Sequence, residues 1–452
     1  METNQGTKLS LSLRENISIG LLLFGLFFGA GNIIFPVFMG QLSTGNWGLS
    51  SIGFLITAIG LPLLGVVSFS LSKKETLIEY AQVTGKGFGL FFAIALYLTI
   101  GPLFAIPRTA TVAFEVGFSP YVGANPQLFL LIYSIVFFGL VLIFALKPQK
   151  ILDIVGRFLA PLFLLLISIL LIACVINPMG DPTQFEAASK YQGAALVSGV
   201  LDGYATMDAL ASLAFGIIIV QSIRNLGVSH EKAIAKETFK SGLVTLVIMA
   251  VLYTALTYLG ATSLGIMPLQ ENGGTVVAQA ANYQLGRFGQ ILLAAAITVA
   301  CLKTAIGLVI SIGETFAKQF SAISYKLWAI IFTLVSFGIA NFGLNTIISI
   351  STPVLMFLYP LTIAFMIMWT VHRFIPLKAL AFKIMMAVMC VLAFFDFLAA
   401  TPDLLKNTPS VQSILGFATD YLPLFELGLS WLIPFVICLV IVLIGLRKKQ
   451  EA

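Results

Sequence analysis

The 452-residue sequence has few charged residues: Asp, Glu, Lys and Arg together make up only 10% of it. Soluble globular proteins carry roughly 25%, so this scarcity excludes an ordinary soluble domain. Apolar residues make up 59%, which indicates that the main partner of the chain is the lipid bilayer. The net charge of +6 does not indicate a nucleic-acid-binding protein, because the basic residues lie in short clusters between apolar runs.

Cysteine and histidine are also scarce, with four and two copies respectively. Every cysteine lies inside an apolar run, and no Cys-x-x-Cys or Cys/His spacing typical of a metal site occurs. We therefore interpret the cysteines as small buried apolar side chains. The sequence also lacks the His-Glu-x-x-His, Gly-x-Ser-x-Gly and Walker motifs. These absences argue against an enzyme and an ATP-driven pump, and they predict no cofactor and no metal other than a transported Na⁺.

Long apolar runs account for most of the chain. A helix needs about 20 predominantly apolar residues to cross the hydrocarbon layer of a membrane. By this criterion the sequence predicts an all-α membrane protein with twelve transmembrane helices. Their predicted ranges are 16–40, 49–71, 89–114, 127–146, 152–176, 193–222, 241–266, 287–313, 327–341, 344–370, 379–400 and 427–446.

The distribution of Lys and Arg predicts the orientation of these spans. With the N-terminus in the cytoplasm, 20 of the 25 basic residues lie on the cytoplasmic side, where short loops retain positive charge. The reverse orientation would place this excess on the wrong side. We therefore expect a cytoplasmic N-terminal segment at residues 1–15 and a cytoplasmic tail at residues 447–452.

The first ten spans divide into two comparable halves. The first half covers residues 16–176, an extracellular loop follows at 177–192, and the second half covers 193–372. Because each half contains five spans, an odd number, the second half enters the membrane from the opposite side. This is the inverted repeat that many transporters use, and two further spans follow at residues 373–446.

The first span of each half is interrupted by small and polar residues. The first contains Gly29-Ala30-Gly31-Asn32, and the sixth contains Gly203 to Asp208. Close helix packing would explain one such break, but two breaks that open both halves favour unwound, ligand-lining segments. An unwound helix exposes N–H groups on one side and C=O groups on the other. It can therefore bind both charges of a zwitterionic amino acid.

Three motifs carry a resemblance to a known family. They are Phe27-Phe28-Gly29-Ala30-Gly31-Asn32-Ile33-Ile34-Phe35-Pro36, the stretch from Gly101-Pro102 to Pro107-Arg108-Thr109-Ala110-Thr111, and Tyr204-Ala205-Thr206-Met207-Asp208-Ala209-Leu210. In this order they resemble the bacterial branched-chain amino acid:cation symporters, over nearly the whole chain. The resemblance implies a LeuT-type fold of five-plus-five inverted helices in the bacterial inner membrane. It also implies import of leucine, isoleucine and valine, driven by H⁺ or Na⁺.

The resemblance also implies roles for individual residues. In the eighth span, the segment Ala300 to Thr304 matches one that completes a second cation site, usually with a Ser/Thr pair. The first position of that pair is Lys303 here, so the coupling ion stays open between H⁺ and Na⁺. The implied substrate-binding residues are Gly29, Ala30, Gly31, Asn32, Tyr204, Ser212 and Phe215. The implied cation-coupling residues are Ala30, Asn32, Asp208, Ala300, Lys303 and Thr304.

Charged residues inside a span are costly and need a reason. Arg108 and Glu115 are seven residues apart on the third span and share a face, so we assign them a gating or structural role. Asp208 and Lys303 fall in spans that build the site, and we expect a role in coupling; a purely structural role is the alternative for each. Polar residues concentrate at the two breaks, which favours an occluding carrier. A channel-like pore and a carrier for another small neutral solute are the alternatives.

Overall fold

The structure is a computed structural model that describes residues 8–119, 122–123, 125–146 and 160–445. The described residues form α-helices, joined by short 3₁₀ and π turns, and a single β-bridge pairs Lys8 with Val228. The helices are α1 (Leu13–Phe27), α2 (Ala30–Ser43), α3 (Trp47–Leu55), α4 (Leu61–Ser72), α5 (Leu77–Ala81), α6 (Lys86–Leu98), α7 (Ala105–Gly117), α8 (Pro126–Ala145), α9 (Ala160–Ile176), α10 (Ser189–Gln192), α11 (Ala195–Asp202), α12 (Asp208–Asn225), α13 (Glu231–Thr262), α14 (Gly273–Gln319), α15 (Tyr325–Ala340), α16 (Leu344–Phe374), α17 (Ala379–Ala399), α18 (Asp403–Lys406), α19 (Pro409–Tyr421) and α20 (Leu432–Gly445).

The predicted all-α fold is confirmed, whereas the number of spans stays a prediction. Within the described ranges, seven helices are long and apolar enough to cross a membrane, and the bent pair α11 and α12 makes eight. The helices α9, α15 and α20 lie at predicted spans but are shorter than 18 residues. Residues 152–159 of the fifth predicted span and residues 446–452 at the C-terminal end lie outside the described residues.

Both predicted interruptions are present. In the first span, α1 ends at Phe27 and α2 begins at Ala30, with extended backbone at the two residues between them. In the sixth span, a 3₁₀ turn at Gly203–Thr206 separates α11 from α12, and Met207 adopts a left-handed conformation with φ of 64°. The axes of these two helices differ by 48°. The first and sixth spans are therefore discontinuous helices.

The first span packs closely along the seventh, which is formed by α13. A Cβ atom placed on Gly40 of α2 would lie 2.0 Å from the carbonyl oxygen of Thr257. A Cβ on Gly260 would lie 1.9 Å from the carbonyl oxygen of Val37, and one on Gly20 of α1 would lie 2.7 Å from the Ser241 carbonyl oxygen. Glycine is therefore required for these backbones to touch.

The sixth span packs in the same way along the second, which is formed by α3 and α4. A Cβ on Gly199 of α11 would lie 2.1 Å from the Ser50 carbonyl oxygen, and one on Gly216 of α12 would lie 2.8 Å from Phe69. The inverted repeat relates the first span to the sixth and the seventh to the second. The two glycine-mediated pairings are thus equivalent contacts, and each joins one half of the repeat to the other.

Two helices on the predicted extracellular side were not predicted from the sequence. The helix α14 runs for 47 residues and has non-helical backbone at Gly286, where φ is 68°. Its part before Gly286 precedes the predicted eighth span at 287–313. The helix α19 lies in the segment that joins the last two spans. Neither segment has the long apolar run on which the sequence prediction depended.

Candidate functional site

A small cavity of about 60 Å³ lies between the two helix breaks. Polar groups come from the N-terminal turns of α2 and α12 and from the third span, and apolar side chains complete the lining. The lining residues are Leu26, Phe27, Gly29, Ala30, Gly31, Asn32, Ile100, Ala105, Arg108, Thr109, Thr206, Met207, Asp208, Ala211, Phe215, Thr304 and Leu308. The cavity therefore lies where the broken first and sixth spans meet the third and eighth.

A buried polar network joins the two breaks. The Asn32 side-chain amide donates to Oδ2 of Asp208 at 2.5 Å and also to the hydroxyl of Tyr253. The Tyr253 hydroxyl donates to the same carboxylate oxygen at 3.2 Å. Asn32 and Asp208 are only 2% and 3% exposed. These bonds hold the broken ends of the first and sixth spans together at one carboxylate.

The local sequence explains why Asn32 and Asp208 occupy these positions. Oδ1 of Asn32 accepts a hydrogen bond from the backbone N–H of Gly29 at 3.0 Å, which satisfies a donor at the start of α2. Asp208 is the first residue of α12, where the positive end of the helix dipole stabilises a carboxylate. Each polar residue therefore compensates the helix end that the break exposes.

Arg108 of the third span brings a positive charge into the same cavity. Its Nη1 donates to the carbonyl oxygen of Ala205, in the unwound part of the sixth span, at 2.6 Å. The guanidinium carbon lies 4.9 Å from the centre of the Phe35 ring, within the range of a cation–π contact. The side chain is 3% exposed. Arg108 thus connects the third span to both broken spans.

Apolar side chains form much of the remaining wall. Phe27 and Phe215 face each other across the breaks with ring centres 6.2 Å apart, and Leu26, Ile100 and Leu308 add aliphatic surface. Burial of a ligand methylene against such a wall contributes about 0.8 kcal/mol. The lining therefore complements, in its chemistry, a small ligand that combines a charged part with a branched hydrocarbon part.

Lys303 lies beside this cavity and not in its lining. Its Nζ would be 3.7 Å from a Cβ atom placed on Gly25, near the C-terminal end of α1. The last carbonyl groups of a helix have no intrahelical partner and carry partial negative charge. Among the described residues, no carboxylate lies within ion-pair distance of Lys303. The ammonium therefore lies beside the last turns of α1.

The structure places eight of the predicted site residues in the cavity lining. They are Gly29, Ala30, Gly31, Asn32, Arg108, Asp208, Phe215 and Thr304. Thr304 donates its hydroxyl hydrogen to the Ala300 carbonyl oxygen one turn earlier, at 3.1 Å. Ala300 itself is not part of the lining. The first break and the start of α12 therefore line one cavity.

Ser212, Tyr204 and Glu115 lie outside the lining of the central cavity, and their predicted roles stay predictions. The Ser212 hydroxyl donates to the Ala209 carbonyl oxygen at 2.6 Å and faces the second span, away from the cavity. The Tyr204 ring stacks on Tyr359 with centres 4.0 Å apart. Glu115 forms no ion pair with Arg108, because Arg108 points toward the sixth span. None of the three lines the central cavity.

Several lining residues were missed from the sequence. Ala211 lies on the face of α12 that also carries Asp208 and Phe215, because positions three and seven residues apart share a helix face. Thr109 follows Arg108 on the third span, and both line the cavity. This spacing was visible in the sequence, but no pattern showed which face of each helix turns inward.

A second cavity, of about 370 Å³, lies above the first on the predicted extracellular side. It is lined by Phe35, Tyr204 and Ala205 together with residues of the predicted outer loop, such as Lys190. The contact of Arg108 with Ala205 and Phe35 lies between the two cavities. The central cavity is therefore closed toward the outer one by this contact.

The arrangement of helices is similar to that of two solved protein structures. The chain superposes on an inward-facing conformation of Mhp1 with a TM-score of 0.61, covering 97% of this chain and 92% of that one at 14% identity. It superposes on MhsT in complex with L-phenylalanine with a TM-score of 0.54, covering 96% and 99% at 17% identity. The fold is therefore that of LeuT-type proteins.

The fold, the apolar spans and the buried site between two broken helices define a multi-pass membrane transporter and not an enzyme. The model of the family described as branched-chain amino acid transport protein matches residues 12–449. The chain belongs to this family. It is 43% identical to the branched-chain amino acid permease BrnQ of Lactobacillus delbrueckii subsp. lactis, over 98% of this chain and 100% of that protein.

Two further relatives also align with this chain over most of its length. The chain is 39% identical to the branched-chain amino acid permease BrnQ of Bacillus subtilis, over 93% of this chain and 94% of the relative. It is 37% identical to the branched-chain amino acid transport system 2 carrier protein of Pseudomonas aeruginosa, over 96% and 98%. The similarity to these relatives therefore extends over nearly their whole length.

Proposed function

We propose that the protein imports leucine, isoleucine and valine across the bacterial inner membrane by cation symport with alternating access. The observation that carries the proposal is the central cavity, which combines Arg108, Asp208 and the free helix ends with a wall of Phe, Leu and Ile. A zwitterion with a branched aliphatic side chain complements both parts. The names of the relatives, which are branched-chain amino acid permeases and carriers, support the same substrate class.

We propose H⁺ as the coupling ion and Lys303 as the residue that carries it. Its ammonium lies near the C-terminal end of α1, which is a place where a cation is attracted. A sodium ion cannot share this place, because two positive charges 4 Å apart repel by about 4 kcal/mol at an effective dielectric of 20. Thr304 and Ala300 lie next to Lys303 on the same helix, and Asn32 with Asp208 forms the other candidate cation site.

Uptake into proteoliposomes tests the substrate and the ion together. With labelled isoleucine, we expect an inward H⁺ gradient to drive accumulation and an Na⁺ gradient alone to drive little. Unlabelled leucine and valine should compete, and leucine should compete on the order of 50-fold better than alanine, because it buries three more carbon atoms at about 0.8 kcal/mol each. Lysine and glutamate should not compete, because each carries a side-chain charge besides its ammonium and carboxylate. The apolar wall offers no partner for that charge.

Strong inhibition by lysine would contradict the proposed substrate class. Accumulation driven by Na⁺ and insensitive to pH would contradict the proposed ion while leaving the substrate intact. If no ion gradient drives isoleucine above its external concentration inside the proteoliposomes, the protein would instead be a channel-like pore.

The proposed orientation is tested by cysteine labelling on intact cells, in a protein whose four native cysteines have been replaced. A cysteine at Glu186, in the loop after α9, should react with an impermeant thiol reagent added outside. A cysteine at Lys73, an exposed residue after α4, should react only after the cells are permeabilised. The reverse pattern at these two positions would place the termini outside.

A further inference from the structure

The guanidinium of Arg108 has hydrogen-bonding capacity that the described protein groups do not use. Arginine carries five N–H donors and stays charged at any physiological pH. Nη1 donates to the Ala205 carbonyl oxygen, and Nη2 reaches only the sulfur of Met207, at 3.9 Å, which is a weak acceptor. Nε is buried and has no acceptor among the described residues. A buried cation with unused donors requires an anionic partner.

Asp208 is the nearest candidate for that partner, but it does not contact Arg108. Both residues line the central cavity, yet no ion pair within 4.0 Å joins them. The Asp208 carboxylate instead accepts hydrogen bonds from Asn32 and Tyr253. A guanidinium and a buried carboxyl group thus line one cavity without contact. A zwitterion placed between them would bring its carboxylate to the guanidinium and its ammonium to the carboxyl group.

The start of α2 marks where the anion would lie. A Cβ atom on Gly31 would be only 3.1 Å from Nη1 of Arg108, so the guanidinium lies directly against the first turn of this helix. The first N–H groups of a helix have no intrahelical acceptor and attract anions. Free N–H groups and a guanidinium at one point form a site for a carboxylate, which guanidinium groups bind in bidentate fashion.

We propose that Arg108 binds the carboxylate of the transported amino acid through the donors that the described protein groups leave unused. This assignment rests on the proposed function and names the group that recognises the substrate. Nη1 can keep its bond to the Ala205 carbonyl oxygen, so carboxylate binding and the contact between the third and sixth spans are compatible.

Substrate analogues that lack one charge test the assignment. Binding to purified protein in nanodiscs would be measured by calorimetry for leucine and for 3-methylbutylamine, which is leucine without its carboxylate. In the wild type, leucine should bind far more tightly than the amine. In Arg108→Gln, leucine should lose at least about tenfold in affinity, while the amine should bind equally well or better. The ratio of the two affinities should therefore collapse, and Arg108→Lys should restore part of it.

The exposed residue Arg224 at the end of α12 provides the matched control, because Arg224→Gln should keep the wild-type ratio. If Arg108→Gln weakens leucine and the amine by the same factor, Arg108 is a structural residue and the assignment is wrong. If the wild type binds neither leucine nor its branched analogues, the proposed function itself fails, and the two failures are thereby distinguished.

Discussion

Replacement of Lys303 by threonine is expected to change the ion that drives transport. Beside Thr304, threonine supplies the hydroxyl pair that the family resemblance implies for a cation site, and it removes the ammonium that would repel a sodium ion there. Uptake of isoleucine into proteoliposomes should lose its response to an H⁺ gradient, falling at least tenfold under this driving force, or gain a dependence on Na⁺. Initial rates measured with each gradient imposed alone would show the change.

The same helix supplies the control. Lys318 is an exposed lysine near the end of α14, and Lys318→Thr should leave both ion responses unchanged. A Lys303→Thr protein that transports isoleucine with unaltered H⁺ and Na⁺ responses would show that Lys303 only holds the first and eighth spans together. The half-saturation constant for isoleucine should change less than the ion response, because Lys303 does not line the cavity.

Replacement of Gly31 by valine is expected to abolish transport and leave the protein in the membrane. Even a Cβ atom at this position would lie 3.0 Å from the Phe35 ring and 3.1 Å from Nη1 of Arg108, and valine adds two further carbons. The side chain would clash with the Phe35 ring and displace the guanidinium. Isoleucine uptake should fall to the level of liposomes without protein, with alanine at this position giving an intermediate rate.

The matched control is Gly139→Val in α8, where a Cβ atom would meet no other atom within 4 Å. This variant should insert into the membrane normally and should take up isoleucine at the wild-type rate. Wild-type uptake by Gly31→Val with an unchanged half-saturation constant would mean that the first break does not contact the substrate. Quantification of membrane-inserted protein separates loss of transport from loss of folding.

The all-helical fold class and both helix breaks could be predicted because each depends on a short, contiguous stretch of sequence. An apolar run of about 20 residues has one stable structure in a bilayer, and the segments at Gly29–Asn32 and Gly203–Asp208 interrupt such runs. The inverted repeat followed from counting five predicted spans in each half, and the LeuT-type fold was implied by the family resemblance. No long-range packing information was needed for these steps.

The inward faces of the helices could not be predicted in the same way. Phe215 lines the cavity and Ser212 does not, although both lie on α12, because the 3₁₀ turn and the left-handed residue Met207 set the rotation of this helix. The sequence also gave no sign that Arg108 would reach across to the sixth span. Side-chain reach across a break depends on the angle between two half-helices, and this angle is a property of the assembled bundle.

The glycine contacts described above determine which parts of the protein can slide. Backbones that touch at Gly40 and Gly260, or at Gly199, cannot shift past each other without opening a gap. The first and seventh spans, and likewise the sixth and second, must therefore travel as rigid bodies. At the level of the central cavity the third span meets the sixth through a side chain, Arg108, so we expect relative movement there. The part of α14 before Gly286 instead lies against the backbone of α2, because a Cβ atom on Gly273 would lie 2.0 Å from the Ile34 carbonyl oxygen. A substrate in the central cavity would touch helices that can move and helices that are held, and its binding would depend on their relative position.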